Sequence, residues 1–101
     1  MEVLITYDIS NQHPEVKAAM LKKGFHDYWV SDKKTYNLPN TSLWKKGNGI
    51  NVTTVLNEFN QAINKLNSAT PLTKNKIKIE RCIVVECTVW AGIQGEKHAT
   101  D

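Results

Sequence analysis

This 101-residue chain has little arginine: Arg81 is the only one, and lysine carries nearly all the rest of the positive charge. Lysine meets a phosphate as a point charge, without the bidentate fork that reads guanine or clamps a phosphate. No apolar run approaches the about 18 residues that a membrane-spanning helix needs. No basic n-region precedes a long apolar stretch, so the N-terminus predicts no secretory signal. Cysteine is scarce. Cys82 and Cys87 stand an odd number of residues apart in a strand-like run, which places them on opposite faces and argues against their pairing. Both read as small buried hydrophobes in a reducing cytoplasm. Gly-rich phosphate loops, nucleophile elbows and nicotinamide or flavin signatures are missing, and "GNGIN" is a turn. His13, His26 and His98 lack metal-ligand spacing.

What is present suits one small globular domain over residues 1–93 with a polar tail over 94–101. The chain is 41% hydrophobic and 23% charged, rich in asparagine, with a formal charge of +3 and a pI near 8.9. That balance permits nucleic-acid contact without demanding it.

The stretch "VLITYDIS", residues 3–10, holds most of the first strand, residues 2–8. Val3 to Tyr7 are strand formers, whereas Asp8 is disfavoured in strands and costly to bury. Pro14 then fits the first helical position, with Ser10 to His13 leading in. Val16, Ala19 and Met20 make a narrow apolar stripe, with Lys17, Lys22 and Lys23 mostly off it. Gly24 suits the left-handed position after the helix. "FHDYWVS", residues 25–31, predicts a second strand. "DKKTYNLPN" reads as turn. "TSLWKK", residues 41–46, predicts a third strand. Val52, Val55, Leu56, Phe59, Ile63 and Leu66 recur at helical spacing, which predicts a second helix over 52–66 with Asn51 as its N-cap. A last strand follows over about 76–90, and the tail from Ala91 is expected to fray.

The fold class is therefore α+β in the order β-α-β-β-α-β, the ferredoxin-like signature. It implies an antiparallel four-stranded sheet in order 4-1-3-2, with two helices on one face. The other face stays open for a partner chain, a ligand or nucleic acid.

Three stretches carry a family resemblance over about residues 2–93. "YDIS" resembles the close of the first strand in the small CRISPR-adaptation proteins, a group that takes in virulence-associated protein D. "NTSLWKKG" is similar to the group's third strand. "VVECTVWAG" resembles the end of short SinR-like proteins. The 31–41 segment is longer than a tight hairpin, and lysines stand where the group often has arginine. The resemblance implies a cytoplasmic homodimer acting on RNA or DNA, as a metal-dependent endoribonuclease of toxin or mobile-element-defence type. It puts Asp8 opposite its own copy across a two-fold axis, where two carboxylates would hold Mg²⁺ or Mn²⁺. In that reading Asp8 is the catalytic residue and metal ligand, and Ser10 donates to a phosphate or to Asp8. Alternatively Asp8 is a turn residue, and the chain is a non-catalytic dimerising module with a protein partner.

Lys22, Lys23, Lys33, Lys34, Lys45 and Lys46 are the candidate phosphate contacts, set against a merely solvated surface. Trp44 is the candidate for stacking on a base, with Trp29 and Trp90 as further aromatics; core or interface packing is the competing reading.

Overall fold

Alternation along β1 (Glu2–Ile9) sets the architecture. Val3, Ile5, Tyr7 and Ile9 are buried while Thr6 and Asp8 are exposed, the period of two that a strand imposes. The computed structural model describes residues 1–98. After β1 come α1 (His13–Lys22), β2 (Tyr28–Ser31), β3 (Lys34–Asn37), β4 (Ser42–Lys46), α2 (Val52–Ala69) and β5 (Ile79–Glu86). The fold is α+β with antiparallel pairing. β1 lies between β4 and β5 in a three-stranded sheet, and β2 and β3 form a separate hairpin.

Both helices cover the face of β1 that carries Val3, Ile5, Tyr7 and Ile9. Val16 and Met20 of α1 and Val55, Phe59, Ala62 and Ile63 of α2 join those residues in one core. Fully burying a residue of this kind contributes about 1.5–3 kcal/mol. Asn51 caps α2 as expected. Its Oδ1 accepts from the Thr54 amide at 2.9 Å, and its own amide donates to Thr54 Oγ1 at 3.2 Å, a reciprocal box. α2 runs past Leu66, where the apolar stripe stops. Polar ties hold its last turn: Thr70 Oγ1 donates to the Leu66 carbonyl at 2.8 Å, and the Asn67 side chain brackets the Ile77 backbone at 2.7 and 3.0 Å.

Five expectations are corrected. The sheet is not a single four-stranded one. The stretch 25–31 does not run as one strand, because Phe25 turns into the core and only His26 pairs with β4, through two 2.8 Å backbone bonds to Trp44. The stretch read as turn contains β3. Asp32 and Lys33 adopt left-handed φ of 50° and 64°, a two-residue loop of the kind that closes tight hairpins, and Thr35 and Tyr36 then pair with Val30 and Trp29. The last strand is shorter than 76–90. Finally, residues 91–98 do not fray. The Asn37 amide donates to the Gln94 carbonyl at 2.9 Å, and Trp90 packs on Trp29 and Tyr36. The rest of the expected tail, 99–101, lies outside the described residues.

Candidate functional site

β1 delivers Asp8 to the sheet face away from the helices. The register slips between Asp8 and Ile9, so Asp8 pairs with Arg81 and Ile9 with Ile79. Such a bulge re-aims side chains at a strand end. Arg81 Nε lies 2.6 Å from Asp8 Oδ2, and this bond and its charge raise the pKa of the guanidinium. Both side chains remain largely in solvent. The only arginine of the chain thus partners the carboxylate next to the end of the first strand.

Ser10 is tied into the backbone. Its hydroxyl accepts from the Lys78 amide at 2.8 Å and donates to Asn11 Oδ1 at 3.1 Å, while its own amide donates to the Lys78 carbonyl. These bonds lock the end of β1 to the chain leading into β5.

Asp8 of one chain, by itself, makes a poor site for a hard cation. Asp8 offers one carboxylate, already held by a guanidinium, whereas Mg²⁺ favours several oxygen ligands in near-octahedral array. Among the described residues no group of three His, Cys, Asp or Glu side chains is placed to hold a metal.

The lysines divide into two sets. Lys45 points to the helix side, where its Nζ is 3.0 Å from Glu58 Oε2 and 4.9 Å from the centre of the Phe25 ring. Lys46 lies 3.9 Å from Glu2. Lys22 and Lys23 at the end of α1, and Lys33 and Lys34 at the tip of the β2–β3 hairpin, make no ion pair among the described residues.

Trp44 is 7% exposed and does not face solvent. Trp29 stacks on it, with ring centres 5.3 Å apart and planes at 16°, and Trp90 lies 4.7 Å beyond Trp29. The hairpin and the chain after β5 therefore cover the β4 side of the face expected to be open. On the β1–β5 side, Ile83 and Val85 remain exposed beside a half-buried Leu4.

A second polar cluster lies where the tail meets α1. Lys17 Nζ and His98 Nε2 approach the same oxygen of Asp27, at 2.8 and 3.9 Å. Burial pushes the Asp27 carboxyl up, but the Lys17 bond and charge outweigh it and hold the group below its ordinary value. A cavity of about 940 Å³ opens beside this cluster, lined by Tyr7, His13, Lys17, Asn40 and His98. Burial, with a smaller contribution from Cys82, pushes the Tyr7 phenol up to about 12. Burial also raises both thiols; Cys82 packs against the core and both cysteines are free.

Three features escaped the sequence reading. Arg81 carried a signal in being the only arginine. The pairing of Trp29 with Tyr36 depended on recognising a tight turn at Asp32–Lys33. The Lys17–Asp27–His98 cluster joins residues too far apart in the chain for any spacing rule.

Comparison with known proteins returns no matching family model, no matching curated protein and no matching solved structure. No helix among the described residues is long and apolar enough to cross a membrane.

Proposed function

We propose that this chain is a ferredoxin-like variant that self-associates and binds nucleic acid, with RNA favoured over DNA. The observation that carries the reading is the set of unpaired cations on a chain of net charge +3. Lys33 and Lys34 sit at an exposed hairpin tip, and Lys22 and Lys23 at a helix end, none of them neutralised by a carboxylate among the described residues. Charges placed this way suit counterion release from a phosphate backbone. The exposed Ile83 and Val85 supply apolar surface for a second copy.

The test is fluorescence anisotropy of a labelled single-stranded RNA, titrated between 50 and 200 mM salt. Binding weakens steeply with salt, and replacing Lys33 and Lys34 together with alanine reduces the salt slope by about 1.4, the single-strand value for two contacts. Binding with no salt dependence, or none at all, overturns the reading. Salt-insensitive self-association without RNA binding supports the other class, a dimerising protein-interaction module, which the same exposed Ile83 and Val85 favour.

A metal-dependent endoribonuclease is the narrower form of the proposal. It requires a second copy to bring its own Asp8 to the first, and a metal to displace Arg81. In that form Asp8 supplies the ligand oxygen, and Ser10 organises the loop that carries it. RNA cleavage that needs Mg²⁺ or Mn²⁺ and vanishes in Asp8→Asn supports it. Cleavage that survives that substitution removes Asp8 from the chemistry.

A further inference from the structure

The chain after β5 occupies a surface suited to a different ligand. Trp29 and Tyr36 are directly opposite each other on β2 and β3, on one face of a hairpin whose tip carries Lys33 and Lys34, which make no ion pair among the described residues. Two adjacent aromatic rings beside cations make a platform of the kind that holds successive bases of a single strand. Trp44 stacks on Trp29 from the sheet side, and among the described residues Trp90 is the ring that covers both Trp29 and Tyr36. Its indole lies 4.7 Å from Trp29 at 45° and meets Tyr36 edge-on at 5.0 Å. An aromatic ring thus already fills the place a base would take.

The attachment of this segment is thin. Trp90 is 37% exposed, and its apolar neighbours project into solvent, Val89 at 93% and Ile93 at 89%. Beyond Trp90, Gly92 lies close to the Tyr36 ring, and the hydrogen bonds and the ion pair are polar ties. Asn37 holds the Gln94 carbonyl through its amide and through Nδ2 at 3.2 Å, and His98 reaches Asp27 at 3.9 Å, with Nε2 buried and without a hydrogen bond. Asn37 is itself only part-buried, so water competes for its bonds. A segment held by one ring and a few polar contacts is displaced at low cost compared with a core element.

We propose that residues 88–98 form an intramolecular strap that competes with single-stranded nucleic acid for Trp29 and Tyr36. The strap keeps the platform covered in the free protein, and a single strand binds there only as Trp90 leaves. Trp44 stays beneath Trp29 throughout as part of the floor. The inference rests on the nucleic-acid reading and adds to it the place where bases stack and the element that gates it.

The test uses the full chain and a fluorescein-labelled 20-nucleotide oligo(U). Trp90→Ala uncovers the platform and tightens binding about tenfold, the factor expected if about one molecule in ten has the platform free. Asn37→Ala weakens the strap without touching Trp29 and moves affinity in the same direction by less. In the wild type, hydrogen exchange over residues 90–98 becomes faster when oligo(U) binds, a readout that needs no substitution. Salt-dependent binding that Trp90→Ala does not tighten, with exchange over 90–98 unchanged or slowed by oligo(U), overturns the strap and leaves the nucleic-acid reading in place. Failure of both wild type and Trp90→Ala to bind oligo(U) overturns the two together.

Discussion

Asp8 and Arg81 face each other across β1 and β5, with the guanidinium Nε donating to the carboxylate over 2.6 Å. A carboxylate one residue before the end of its strand has here an exposed cation as its partner. The pair decides how available Asp8 is to anything else. Arg81→Ala leaves the carboxylate without that competitor. On the metal-dependent reading, the variant cleaves RNA faster than wild type at limiting Mn²⁺, and Asp8→Asn is inactive at every metal concentration. A rate that does not respond to Arg81→Ala would show that the guanidinium and the metal do not compete for Asp8.

Tyr7 gives the fold a sensitivity to base. Its phenol titrates near 10.0 when free and at about 12 in the folded chain. The folded state holds its proton longer than the unfolded state. The contribution is therefore complete below pH 10 and is lost as the pH rises through the folded value. A shift of this size corresponds to about 3 kcal/mol over that window. Tyr7→Phe has no proton to lose, so its stability falls less between about pH 10 and 12. Denaturant titrations of both proteins across that range provide the check, and parallel losses would place the alkaline sensitivity elsewhere.

Asp27 acts at the opposite end of the scale. Its folded pKa lies below the ordinary 3.8, so the Lys17 bond stabilises the fold above that value and the benefit disappears as pH falls through the lower folded value. Asp27→Asn costs about 2 kcal/mol at neutral pH, the scale of a charge-assisted hydrogen bond. The gap to wild type closes under acid. Urea midpoints at neutral pH and under acid test this, and an undiminished gap under acid would mean that packing, and not charge, holds the cluster.

Lys33 carries a left-handed φ of 64°, a conformation that costs a side-chain-bearing residue about 1–2 kcal/mol. Lys33→Gly relieves that cost and raises the thermal midpoint by a few degrees, in part offset by the added freedom of glycine in the unfolded chain. It also removes an unpaired cation, so the salt slope of RNA binding falls by about 0.7. A higher midpoint with an unchanged slope would remove Lys33 from the phosphate contacts while leaving the hairpin assignment intact.

Much of the fold was legible because β1 and α2 carry clean periodicities. Alternation in "VLITYDI" and the spacing from Val52 to Leu66 follow directly from which face is buried. The hairpin was not legible because Asp32–Lys33 is a tight turn built without glycine, and its strands are four residues long. The division of 25–31 turned on one residue, Phe25, entering the core. At the candidate site, Asp8 stood out as an aspartate in an apolar strand, but its partner is 73 residues away in the chain. For Trp44 both base stacking and packing stayed open, because its burial depends on Trp29 and the hairpin that carries it. The tail looked unstructured because its attachments are hydrogen bonds and a single ring, which leave no periodic trace.

The outer edge of β5 pairs with no strand among the described residues, and its centre reads Cys82, Ile83, Val84, Val85. A bare edge with an apolar centre is a template on which like segments add one after another. Glu80 and Arg81 stand at one end of that run and Glu86 at the other. They act as gatekeepers, since stacking identical strands in register would set each charge against its own copy. Arg81 thus has two places at once: it is the partner of Asp8, and it stands with Glu80 at one end of the bare apolar run.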